Sequence, residues 1–245
     1  MTSPADHFIV LVTDIDAAVR DYQALGFTVQ TRADSQSHGA LYRFVVMADG
    51  SYILLTQFTS DEVIAKHRLG PDLLEGEGFA DWSFTIRDAD ATTAKVVAAG
   101  GQTRGPVTVA NVLATGEAWG LKLLMTGKGT GGDSALPFVV EDTHGRAFRI
   151  PAFVPHANGI ARIVEIRASS DEPLRAAEVL GATLDAPVTG TSVAAEPAPV
   201  VFVASADAAG KARARGGLYE LVVTGGDAQG LMDTTLTHGA RLLQA

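Results

Sequence analysis

The chain repeats itself. Displaced by 74 residues, its opening pattern returns without a gap: Asp14 and Asp16 fall on Asp88 and Asp90, Val12 on Ile86, Ala17 on Ala91, Ala24 on Ala98 and Gly26 on Gly100. HFIVLVT (7–13) is a short, apolar, β-branched run, which reads as a buried strand. Asp14 and Asp16 offer carboxylates to the free N–H groups of a helix start. AAVRDYQAL carries apolar residues at helical spacing, and Gly26, tolerant of positive φ, ends it. FTVQTR (27–32), LYRFVVMA (41–48) and SYILLTQF (51–58) follow as strands, the last two joined by a turn at Asp49-Gly50. One unit is therefore βαβββ. DWSFTI (81–86), a helix over ATTAKVVAAG (91–100), and strands in QTRGPVTV, AWGLKLLM and LPFVVE restate it.

Displaced by 155 residues, part of the pattern returns again: LGFTV (25–29) meets LGATL (180–184), Asp16 meets Asp171, and IVEIRA (163–168) meets FIVLVT (8–13). A fourth copy starts near Leu218, with YELVVT as strand, a helix from Asp227 to Gly239, and ARLLQ as strand; it ends after βαβ. The expected fold class is α+β, built of tandem βαβββ modules. The expected domains are 1–155, made of two units over about 5–58 and 80–142, and 156–245, an incomplete second half. Between the first two units, 59–78 is polar and predicts a short helix near Asp61–Arg68. HGRAFRIPAFVPHANG (144–159), punctuated by Pro151, Pro155 and Gly159, reads as a connector. TGTSVAAEPAP (189–199) reads as a loop or irregular edge, and GKGTGGDS (127–134) as a hairpin tip. That tip lacks the GK[ST] ending of a phosphate loop.

Composition removes whole classes of function. There is no cysteine, so disulfides, thiol nucleophiles and Cys-ligated metals are excluded. The formal net charge is −9, which disfavours nucleic acid and anionic lipid surfaces. No apolar run approaches the roughly 18 residues of a membrane span. MTSPADHFIV has neither a basic n-region nor an apolar h-region, so a cytoplasmic protein is expected.

Paired βαβββ units resemble the vicinal oxygen chelate superfamily, which includes glyoxalase I, extradiol dioxygenases and bleomycin-resistance proteins. More narrowly, the chain resembles bacterial glyoxalase-like domain proteins. The resemblance is carried by HFIVLVTDIDAAVRDYQALGFTV (7–29), ADGSYILLTQF (48–58), HRLGPDLLEGEGFADWSF (67–84), LPFVVEDTHGRAFRIP (136–151) and HANG (156–159), and thins after about residue 170. It implies curved, barrel-like sheets, with a ligand in the cup between the first two units. In metal-using members each unit gives one ligand from its first strand and one, usually Glu, from its last. Carried over, the first-strand positions are His7 and Asp81. The last-strand positions fall on Leu54 and on Phe138 or Val139, which are apolar, while Glu141 lies further on.

Two unlike donors and two apolar replacements argue against a divalent ion, which needs several fixed ligands. No metal and no cofactor is therefore expected. The alternative is a divalent metal ion, or an acid–base pair, at His7 and Asp81, serving a lyase, isomerase or dioxygenase-like reaction. Among the six histidines no HxH or HExxH spacing occurs. His38 leans over the cup or is solvated in its loop, and His67 reads as a solvated helix face. Tyr52 shares strand parity with Leu54 and Thr56 and should face the cup with its hydroxyl available. Trp119 serves as cup wall or core, and Trp82 packs beneath the second helix. Arg43 and Lys122 hold an anion if they face inward, though charged residues of a half-exposed sheet more often face water. Arg162 and Glu220 stand at the His7 position in units three and four and are expected to pair across a degenerate cup. No GxSxG elbow supports a serine nucleophile. The expectation is a small-molecule binding protein with an aromatic or amphipathic ligand, held by His7, His38, Tyr52, Leu54, Asp81, Trp119 and Glu141. The second half is expected to serve structure or homodimer formation, since open sheet edges demand cover.

Overall fold

The computed structural model describes residues 3–32, 36–37 and 39–245. The first unit is β1 (Ala5–Leu11), α1 (Ile15–Ala24), β2 (Gln36–Ser37), β3 (Ala40–Val46) and β4 (Tyr52–Phe58). Short helices α2 (Asp61–Lys66) and α3 (Gly70–Leu74) lead to the second unit: β5 (Gly78–Thr85), α4 (Ala89–Ala98), β6 (Arg104–Val112), β7 (Ala118–Met125) and β8 (Phe138–His144). Together they form one eight-stranded sheet in the order β2-β3-β4-β1-β5-β8-β7-β6. The repeat is visible in the pairing. β1 lies parallel to β4, β5 lies parallel to β8, and β1 meets β5 antiparallel at the centre. Asp14 and Asp88 both cap their helices: Asp14 accepts from the Asp16 and Ala17 N–H groups, and Asp88 from Ala91.

Alternation along the strands divides the sheet into two faces. Phe8, Val10, Trp82, Phe84 and Val139 belong to one apolar cluster, while Ile9, Leu11, Phe44, Leu54, Phe138 and Val140 belong to another on the cup side. The segment 27–32 departs from the expected strand. Among the described residues it keeps only a single bridge, Gln30 to Phe44. Its polar groups are spent on the connector instead. The Thr28 N–H donates to His156 Nδ1 (3.0 Å), its hydroxyl to the Pro155 carbonyl (3.0 Å), Gln30 Nε2 to the Ala152 carbonyl (3.0 Å), and Arg32 to the Arg149 carbonyl. The connector itself contains a helical turn, α5 (Arg146–Arg149).

The second half contains β9 (Ile160–Ser170), α6 (Pro173–Leu184), β10 (Val188–Thr189), β11 (Ser192–Val193), β12 (Val200–Ala204), β13 (Gly217–Gly225), β14 (Gly230–Leu231) and β15 (Arg241–Gln244). Its seven-stranded sheet runs β10-β11-β12-β9-β13-β15-β14 and repeats the plan, with β9 and β13 antiparallel at the centre. The helix expected from Asp227 to Gly239 does not form. Gly230 takes φ +100°, His238 and Gly239 take φ +52° and +76°, and Asp233 folds a tight turn by accepting from the Thr235 N–H and hydroxyl. Glu220 does not pair with Arg162. The register sets Glu220 opposite Arg167 and Arg162 opposite Thr224, so Glu220 binds Arg167 (2.5 Å) and Arg241 (2.9 Å). The apolar core is continuous between the sheets, with Trp82 of β5 packing on Phe202 of β12 at 6.3 Å between ring centres. No helix among the described residues is long and apolar enough to cross a membrane.

Candidate functional site: an arginine-floored cup

The cup is a cavity of about 260 Å³ on the concave side of the first sheet. Its walls come from alternate strand positions, including Ile9, Phe44, Leu54, Leu121, Phe138 and Val140. Pairing explains their convergence, because Phe44 stands opposite Leu54 across β3 and β4, and neighbours on one face share parity.

The floor is polar and fully engaged. Pairing of β1 with β5 shifts register between Ala5 and His7, and this bulge carries the Asp6 side chain, 0% exposed, into the protein. Asp6 takes a hydrogen bond of 2.7 Å from His7 Nδ1, two from Arg149 (2.9 and 3.0 Å) and one from Arg146 (2.6 Å). Arg149 also donates to both Asp142 oxygens (2.9 and 3.0 Å) and to the Tyr52 hydroxyl (3.1 Å). Burial alone would raise the Asp6 carboxyl. The Arg149 guanidinium and the His7 hydrogen bond override it and hold Asp6 well below the usual carboxylate range. Burial, with the Asp6 charge, pushes the Tyr52 phenol up, so that hydroxyl stays protonated. The His7 ring stacks on Tyr52 at 5.1 Å and makes a T-shaped contact with Phe138 at 5.3 Å. Because a carboxylate only accepts, His7 Nδ1 donates to Asp6, and Nε2 is left on the cup side of the ring.

Three further side chains line the wall from outside the sheet. Arg32 lies over both Phe44 and Trp119, 5.1 Å from each ring centre. Arg68 lies 5.2 Å over Phe138 and is ion-paired with Asp81. His67 packs on Phe58 at 4.7 Å, and its Nδ1 accepts from the Leu69 N–H (3.1 Å), which places the ring proton of the neutral form on Nε2. Burial and the neighbouring Arg68 charge lower the His67 pKa. His67 is thus a wall residue, not a solvated helix face: the chain turns between α2 and α3 and points 67–69 into the cup.

Of the residues selected from sequence, His7, Tyr52, Leu54 and Trp119 line this cavity together. The Tyr52 hydroxyl is taken by Arg149, not available. Asp81 stands behind the wall, 2% exposed, holding Arg68 and accepting from the Trp82 N–H. Glu141 has the opposite parity to Phe138 and Val140. It accepts from the Ala89 N–H at the start of α4 (2.8 Å) and faces Lys122 at 3.5 Å, away from the cup. His38 lies outside the described residues. Arg43 and Lys122 turn outward, toward Asp16 and Asp90. Sequence reasoning missed Asp6, Arg32, Arg68, Arg146 and Arg149. The one available signal was the cluster of arginines in the connector, HGRAFR.

A divalent ion does not fit these donors. Leu54 and Phe138 bring no ligand atom, and Asp81 is committed to Arg68 and a backbone N–H. Among the described residues no group of three or more His, Asp or Glu side chains gathers as a metal site would require.

A family model described as "Glyoxalase-like domain" matches residues 5–184. No curated protein sequence matches the chain. Among solved structures, a hypothetical protein from Staphylococcus aureus is similar over 99% of both chains, with a TM-score of 0.70 at 12% identity. A mutant of 4-hydroxymandelate synthase from Streptomyces coelicolor is similar over 91% of this chain and 71% of its own, with a TM-score of 0.57 at 14% identity. A xylose isomerase-like TIM barrel/4-hydroxyphenylpyruvate dioxygenase fusion protein is similar over 93% of this chain and 37% of its own, with a TM-score of 0.52 at 13% identity. Likeness at such identities establishes a common fold.

Proposed function

The chain belongs to the glyoxalase-like domain family, within the vicinal oxygen chelate superfamily, and from that premise we propose that it binds a small organic molecule in the cup without a metal ion. The observation that carries this reading is the cup itself: an open cavity with apolar walls and a few polar groups held in place by buried partners. Its volume, about 260 Å³, suits a compound below the usual drug-sized range. The floor is rigid in advance of binding, because Arg149 spends its donors on Asp6, Asp142 and Tyr52. Metal independence rests on the apolar Leu54 and Phe138 and on the commitment of Asp81 to Arg68.

A second reading is acid–base catalysis. It is favoured by His7, whose Nδ1 is oriented by a buried carboxylate while Nε2 is left for the cup. The carboxylate in question is Asp6, not Asp81. The test begins with metal content of the protein as purified and calorimetric titration with Mn²⁺, Zn²⁺, Ni²⁺ and Fe²⁺. No stoichiometric ion is expected; an ion that binds stoichiometrically and is lost in His7→Ala overturns the metal-free reading. A thermal-shift screen of small metabolites follows, with Leu54→Trp as a plugged control. Hits that vanish in the control support binding in the cup, and hits that persist place the ligand elsewhere.

A further inference from the structure

The charged side chains that line the cup are cationic, although the protein is acidic. The chain carries a net −9, yet among the described residues no Asp or Glu lines the cavity, whereas Arg32, Arg68 and Arg149 do. The carboxylates that balance these arginines stand behind them: Asp81 behind Arg68, and Asp6 and Asp142 beyond Arg149. A ligand entering the cup therefore meets guanidinium faces and apolar rings before any negative atom. Low-dielectric walls concentrate such a field.

The donors are not all spent. Arg149 is saturated, but Arg68 uses only Nη1, on Asp81, and among the described residues its Nε and Nη2 make no hydrogen bond. The adjacent His67 has its Nε2–H equally without a hydrogen bond, its Nδ1 being turned to the Leu69 N–H. Arg68 and His7 both pack on Phe138, the guanidinium over the ring and the imidazole at a steep angle to it, so both border a single apolar platform.

We propose that the cup is specific for a small organic carboxylate with an apolar, one-ring body. The ring lies on Phe138 and the surrounding aliphatic wall, and the carboxylate takes the spare donors of Arg68 and His67. An ionised acceptor strengthens such hydrogen bonds over those to a neutral group, and guanidinium geometry matches a carboxylate. The proposal rests on the reading of the cup as the binding site and adds the charge class of its ligand.

The test is calorimetry on the full chain with matched probes: benzoate, phenylacetate and 3-phenylpropanoate, each beside its primary amide. At least one acid is expected to bind 10-fold or more tightly than its amide and to weaken as salt rises, while the amide does not. Arg68→Gln should bring the ratio toward one. Since that variant strands Asp81, the acid-to-amide ratio of the unaltered protein is the primary readout, with Leu54→Trp as the plugged control. Amides that bind as tightly as acids, and are lost in Leu54→Trp, overturn the charge assignment and leave the cup reading standing. Acids that still bind to Leu54→Trp overturn both, as does an absence of millimolar binding by every probe.

Discussion

Asp6 shows how a single residue can set the chemistry around it. A carboxylate with no exposure is costly to bury, and it is tolerated here because two arginines and a histidine surround it. Removing one partner leaves that charge uncompensated. Arg149→Met is expected to lose about 3–5 kcal/mol of stability, as typical for a broken buried pair, measured by urea unfolding. A loss below about 1 kcal/mol would show that the floor network is not integral to the fold. The pH dependence follows from two sets of groups. The folded pKa values of His67 and His156 are lowered, chiefly by burial, so the unfolded chain takes up their protons first as pH falls through about 6.5. Stability therefore declines from that point downward. The depressed carboxyl of Asp6 adds its own loss only below about pH 4, where the unfolded carboxylate protonates before the folded one. Urea midpoints at pH 7.0 and 5.5 should fall in the unaltered protein and fall less in His67→Gln. At this scale the sequence was readable where parity decided the outcome, as for Tyr52 and Leu54. It was silent on Asp6, because a bulge reverses the parity rule and no pattern in the letters marks one.

At the scale of elements, the repeat was the legible part. Helices α1 and α4 start and stop at positions 74 residues apart, each capped by its aspartate and followed by a left-handed glycine. Gly26 does more than end a helix. It takes φ +84°, and a Cβ there would stand 2.9 Å from the Asn158 backbone nitrogen and Cβ, at the HANG turn. Gly26→Ala is accordingly expected to cost more than about 1 kcal/mol, and a neutral result in thermal unfolding would contradict that close approach. Two of the departures from the sequence reading, at 27–32 and at the connector, have a common cause. The segment 27–32 has strand composition, but its partners come from 149–156, and single-sequence periodicity carries no information on so distant a competitor. The connector was read as linker for the same reason, although α5 supplies both floor arginines.

Across the whole molecule, the two sheets share one interior. Besides Trp82 on Phe202, the buried Lys128–Asp72 pair lies beside Arg213, which donates to the Phe79 and Asp72 carbonyls. His238 of the second half binds both Asp21 and Glu77 of the first (3.1 and 2.7 Å). A fragment ending at Pro155 would expose the Trp82 face and leave these groups unpartnered. It is expected to aggregate or to give a poorly dispersed amide NMR spectrum, and a well-dispersed, monomeric fragment would refute the shared core. The net charge points to an acidic surface, but not to a cup lined by arginines. The sum over a chain does not report which side chains the topology turns inward.

The floor contact between Asp6 and Arg149 joins residues 143 positions apart. During synthesis the first strand leaves the ribosome with its carboxylate in water, and its countercharge is not yet translated. More than half the polypeptide must emerge before the cup can acquire its base. Pairing so remote in sequence is slow to nucleate. The floor of the cup is therefore a late product of folding, and a nascent chain arrested before Arg149 has the walls of a pocket without its bottom.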